Sequence, residues 1–170
     1  MNLSSKRIVL TSFFLSLGIV LPFIFHRFAL AGRIFSPMHI PVFLAGIFAG
    51  PISGIIVGVL SPVISFFLTG LPPAYAVPLM AMELPVYGLS IGLLYQVRKL
   101  PLILSLIICM ILGRIGFALG LLILGAFVNL PYGFSTFLKI SFITGLPGIA
   151  LQIILIPSLV KGVSWLGSSR

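Results

Sequence analysis

The chain has 170 residues and a formal net charge of +9, yet only 6% of its residues are charged and 60% are hydrophobic. Mean hydropathy is +1.34. So little charge cannot cover a water-facing surface, so the sequence is read as one integral membrane domain over residues 1–170. Six helical spans of about 20 residues fit with short loops, which leaves no room for a soluble nucleotide-binding domain. The apolar segments do not alternate with polar residues, which argues against a β-barrel. The expected fold class is all-α, with six transmembrane helices.

Other functions are excluded by what is missing. The ten Lys and Arg residues are scattered at segment ends, which reads as topology signals rather than a nucleic-acid-binding stripe. Glu83 is the single acidic side chain. Two-carboxylate glycoside chemistry and an acidic metal site for phosphoryl transfer are therefore out of reach of one chain. Cys109 is alone, so no internal disulfide or cysteine-rich zinc site forms, and it reads as a small buried hydrophobe. No Ser/His/Asp, P-loop or metal-ligand spacing occurs. No catalytic residue, metal or cofactor is expected.

In chain order, helix 1 is expected over Ile8–Phe25, with Pro22 near its far end. Lys6-Arg7, this apolar run and Ala29-Leu30-Ala31 imitate a signal peptide. The run is longer than the usual apolar region of about 7–15 residues, and Arg27 stands before the cleavage-like triplet, so it is read as an uncleaved span. A connecting loop follows over His26–Pro37. Helix 2 opens near Met38-His39 and is short, stopping at Gly50-Pro51. Helix 3 runs over Ile52–Leu68, and Gly70-Leu-Pro-Pro73 breaks it. Helix 4 covers Tyr75–Val97, with Pro78 and Pro85 inside. Helix 5 covers Leu102–Val128. Helix 6 covers Phe134–Leu159, with Pro147 inside.

Six basic residues (Lys6, Arg7, Arg98, Lys99, Lys161, Arg170) fall on one side and two (Arg27, Arg33) on the other. That asymmetry puts both termini in the cytoplasm. Small residues recur at helix-packing spacing: Gly54 and Gly58, then Gly113, Gly116 and Gly120, and Ser12 with Ser16. The last pair is either internal packing or a surface for a partner.

Ionisable groups within a span are costly and rarely face lipid. Glu83, Arg114, Lys139 and His39 are such groups. They form either a polar pocket open to the outside or, for Glu83 and Arg114, an ion pair that fixes helix packing. Tyr87 lies one turn from Glu83 on the same face. Asn129 at the end of helix 5 and Gln152 on helix 6 add hydrogen-bonding capacity. Pro78, Pro85 and Pro147 free backbone carbonyls, which is tolerated at depth beside a cavity. A small polar solute, anionic or zwitterionic, suits this set.

The stretch Ser36-Pro-Met-His-Ile-Pro-Val-Phe-Leu-Ala-Gly-Ile-Phe-Ala-Gly-Pro-Ile-Ser-Gly-Ile-Ile-Val-Gly58 resembles the substrate-binding S components of energy-coupling factor (ECF) transporters. So do Thr69-Gly-Leu-Pro-Pro73, Met80-Ala-Met-Glu-Leu-Pro-Val-Tyr-Gly-Leu89, Gly113-Arg114 and Thr144-Gly-Leu-Pro-Gly148. The resemblance implies a six-helix subunit in a prokaryotic plasma membrane that captures a vitamin from outside. It would dock on a transmembrane coupling subunit driven by two cytoplasmic ATPases. His39-Ile-Pro-Val42 is most similar to pantothenate-type members, with pyridoxine and hydroxymethylpyrimidine members next. The family's ligand sits among the first loop and helices 4, 5 and 6, which agrees with the placement of Glu83, Arg114 and Lys139; His39, Tyr87, Asn129 and Gln152 complete the candidate substrate-binding set. The family docks through an Ala-x-x-x-Ala motif on helix 1. That register here reads Ser12-Phe-Phe-Leu-Ser16, still small enough for close approach. The alternative is a stand-alone proton-coupled carrier that uses Glu83.

Overall fold

The computed structural model describes residues 3–26, 37–127 and 145–168. These residues form six helices and no strand: α1 (Leu3–His26), α2 (His39–Phe48), α3 (Pro51–Thr69), α4 (Ala76–Ile91), α5 (Leu102–Phe127) and α6 (Leu146–Ser168). A π-helical turn over Gly92–Val97 extends α4. Five of these helices are long and apolar enough to cross a membrane. Among the described helices the exception is α2, whose ten residues reach about 15 Å.

The outer surface explains the composition. Ile8, Phe67, Ile111, Leu122 and Ile154 are each at least half exposed. Apolar cover on this scale is an aggregation hazard in water and is satisfied by lipid. Inside, Val42 and Phe43 of α2 pack with Val57, Leu84, Leu106, Cys109 and Ile156 in one buried cluster. The Cys109 thiol donates to the Leu106 carbonyl at 3.1 Å, so it is the buried small hydrophobe its apolar surroundings suggest. Packed by α1, α3 and α4, α2 buries nearly every side chain it has, which is why it is apolar all round.

Local chemistry sets the helix ends. Gly50 has φ of 104°, a conformation that side chains resist. Pro51 then occupies the first position of α3, where no N–H is needed. At the other end of α3, Gly70 adopts the left-handed conformation and its N–H bonds the Phe66 carbonyl at 2.8 Å, a glycine stop followed by Pro72.

The glycine spacings resolve into internal packing. A methyl on Gly54 would strike the backbone of Gly88, and one on Gly58 would strike the backbone at Leu84 and Pro85. Thus α3 and α4 meet backbone to backbone, as small residues permit in lipid. Gly113, Gly116 and Gly120 turn α5 toward Tyr87, Val86 and Met82 of α4.

The last helix differs from expectation. Gly145 is a turn residue and α6 begins at Leu146, not at Phe134; residues 134–144 lie outside the described set. Pro147 therefore sits in the first turn, where its missing N–H costs nothing, rather than inside the helix. The helix also runs past Leu159 to Ser168, through Pro157.

Candidate functional site

Three helices bring four of the expected residues together. α4 supplies Glu83 and Tyr87, one turn apart; α5 supplies Arg114 from its middle; α2 supplies His39 from its first position. Glu83 Oε1 is the hub. It accepts the Tyr87 hydroxyl at 2.8 Å and Arg114 Nη1 at 3.2 Å. His39 Nε2 stands 3.9 Å away, outside hydrogen-bonding reach but close enough for electrostatic contact. The Glu83–Arg114 ion pair, one of the two arrangements the sequence allowed, is present.

Aromatic packing fixes the hub. The Tyr87 ring lies 5.2 Å from the rings of both His39 and Phe43, tilted by about 55° to each. Its other side lies against Gly113, where any Cβ would collide with it. Phe43 and Gly113 therefore position Tyr87. Neither is polar, so a search for chemistry-bearing side chains passes over them; the Gly113-Arg114 pairing was the available signal.

Exposure divides the cluster. The side chains of His39 and Glu83 are 9% and 5% exposed, while that of Arg114 is 18% exposed. Tyr87 is 3% exposed. Glu83 and Arg114 cancel in charge, so the cation deep in α5 is compensated from within the chain. Two capacities remain. The guanidinium has five N–H donors, of which, among the described residues, one is committed, to Glu83. His39 Nδ1 is fully buried and has no hydrogen-bond partner among the described residues. An unsatisfied buried polar atom is costly and marks a place where a solute or water can bind.

The other expected residues separate. Gln152 is buried on α6, and α6 packs on α2 and α5, yet among the described residues no hydrogen bond joins it to Glu83, Tyr87, His39 or Arg114. Asn129 and Lys139 lie outside the described residues. Ser12 and Ser16 are exposed on α1, with the Ser16 hydroxyl donating to the Ser12 carbonyl at 2.9 Å. The buried face of α1 runs through Phe14, Gly18 and Pro22, and Gly18 abuts Ser61 of α3. The serine pair therefore stands off the internal packing face.

No curated protein and no solved structure matches the chain. The model of one family, described as "ECF transporter, substrate-specific component", matches residues 6–160. That match takes in α2 to α5, most of α1 and α6, and the whole Glu83 cluster. The chain belongs to the substrate-specific components of ECF transporters, and is a multi-pass membrane subunit that captures a transported substrate.

Proposed function

We propose that this subunit captures a small water-soluble vitamin or precursor from outside the cell and hands it to an ATP-driven importer. The best reading of the substrate is pantothenate, with pyridoxine and hydroxymethylpyrimidine next. The observation that carries the reading is the Glu83–Tyr87–Arg114–His39 cluster: a charge-balanced, buried polar centre with spare donors on Arg114 and an unpartnered His39 Nδ1. Asn129, Lys139 and Gln152 complete the binding set in this reading. Ser12 and Ser16 face a transmembrane coupling subunit bearing two cytoplasmic ATPases. Both termini lie in the cytoplasm of a prokaryotic cell. A proton-coupled carrier needs a carboxylate free to change charge, and Glu83 is tied to Arg114 and Tyr87, which favours capture over proton coupling.

The test is mass spectrometry of the solute that co-purifies with the protein in detergent, followed by calorimetric titration with pantothenate, pyridoxine and hydroxymethylpyrimidine. One saturable vitamin-sized ligand is the expected result. A well-folded protein that carries none and binds none of the three overturns the substrate assignment.

A further inference from the structure

A second site lies at the opposite end of α2 from His39, about 15 Å away by helix rise. It is a partly open cleft of about 580 Å³ where the start of α1 meets the α2–α3 junction and the π-helical turn. Arg7, Thr11 and Ser12 of α1, Ser53 of α3 and Gln96 of the π-helical turn give it polar lining, and the exposed Ile52 and Ile56 of α3 give it apolar lining. Much of the polar lining is held in place by hydrogen bonds. The Thr11 hydroxyl donates to Ser53 Oγ at 2.8 Å, which donates to the Ala49 carbonyl at 3.3 Å. Gln96 Nε2 donates to the Ile47 carbonyl at 3.3 Å.

Arg7 enters this cleft as an exposed cation. The chain holds one carboxylate side chain, Glu83, and it is buried against Arg114. Nothing acidic in the sequence is left to pair with Arg7. Lys6, Arg98 and Lys99, all exposed, add positive charge at the same end. The apolar lining has the opposite character: Ile52 is 71% and Ile56 41% exposed, continuous with the lipid-facing surface. We propose that this cleft binds an anionic phospholipid, with its headgroup phosphate on Arg7 and its acyl chain along Ile52 and Ile56. A cation among polar lining groups, with apolar lining leading into the bilayer, matches the two ends of one such molecule. Ser12 also lines the cleft, so the lipid occupies it in the undocked subunit; the proposal does not depend on which solute the Glu83 cluster binds.

The test is native mass spectrometry of the purified full chain in micelles containing phosphatidylglycerol or phosphatidylcholine with matched acyl chains. Wild type should retain phosphatidylglycerol preferentially. Arg7→Ala should lower that retention about fivefold, the worth of one basic residue at an anionic surface, and leave phosphatidylcholine unaffected. Lys6→Ala, one residue away but outside the cleft lining, should keep the preference. Equal retention of the two lipids, or an equal loss in both variants, overturns the site. Displacement of phosphatidylglycerol by inorganic phosphate makes it a free-phosphate site and overturns the lipid assignment. Unchanged lipid retention in Arg7→Ala with loss of uptake in cells assigns the cleft to a protein partner instead.

Discussion

The Glu83–Arg114 pair lends itself to a charge cycle that separates holding the helices together from holding a solute. At 3.2 Å and an effective dielectric near 20, the attraction between unit charges is about 5 kcal/mol, opposed by the cost of taking both out of water. Removing one partner of a buried pair typically costs about 3–5 kcal/mol, because the other charge is stranded. Arg114 is 18% exposed on its side chain, which places Arg114→Ala at the lower end, about 3 kcal/mol. Glu83→Gln keeps the shape and leaves an acceptor for Tyr87, but strands a cation in mid-span at about 2.5–3.5 kcal/mol. The double variant Glu83→Gln/Arg114→Ala strands no charge and should recover all but about 1 kcal/mol. Thermal unfolding in detergent reads this cycle. Solute affinity should behave differently: it should fall at least about tenfold, or 1.4 kcal/mol, in Arg114→Ala, and the double variant should not restore it. A double variant that binds at wild-type affinity would refute the claim that Arg114 contacts the solute and leave the pair a packing device. Single variants that each cost under about 1 kcal/mol would refute the burial argument itself.

Three further outcomes follow from the packing. Gly88→Ala places a methyl against the Gly54 backbone and should lower stability by about 1–3 kcal/mol, read by thermal unfolding; an unchanged transition means that α3 and α4 are not in backbone contact. Ser16→Trp, on an exposed face of α1, should abolish uptake in cells while solute binding by the isolated subunit survives; loss of binding as well would make that face internal. In a Cys109→Ser background, Leu71→Cys should label with a membrane-impermeant maleimide in intact cells and Lys99→Cys only after permeabilisation, and the reverse pattern inverts the proposed topology.

Composition and punctuation carried most of the fold. Gly50-Pro51 and Gly70 mark helix ends because each imposes a backbone geometry that survives any tertiary context. Glu83 and Tyr87 were legible as a unit because four residues make one helical turn. Arg114 was legible as the partner because a chain with one carboxylate offers a deep cation no other. The start of α6 was not legible. In a wholly apolar run no polar face marks where the helix begins, so Pro147 looked internal when it opens the first turn. The shortness of α2 was legible, because Met38-His39 and the Gly50-Pro51 stop bracket too few residues for a full span. Phe43 and Gly113 act by shape, which becomes visible only when α2, α4 and α5 are set side by side. The cleft at Arg7 is assembled from segments far apart in sequence, and spacing along the chain cannot reveal it.

The half-length of α2 has an electrostatic consequence. A helix that spans the bilayer leaves its partial charges in the headgroups, where water screens them. α2 is joined to α3 through Ala49 and Gly50, and its ten residues reach about 15 Å, half of a hydrocarbon core about 30 Å thick, so its His39 end does not extend as far as the end of a full span would. Its aligned peptide dipoles sum to roughly half a positive charge at that end, beside His39 and within reach of Glu83. Met38 offers no capping side chain, so the residue at the cap position does not quench that end. The side-chain charges of Glu83 and Arg114 balance, and that field adds a positive bias beside them along the axis of α2. It arises from where a helix stops, with no additional charged side chain.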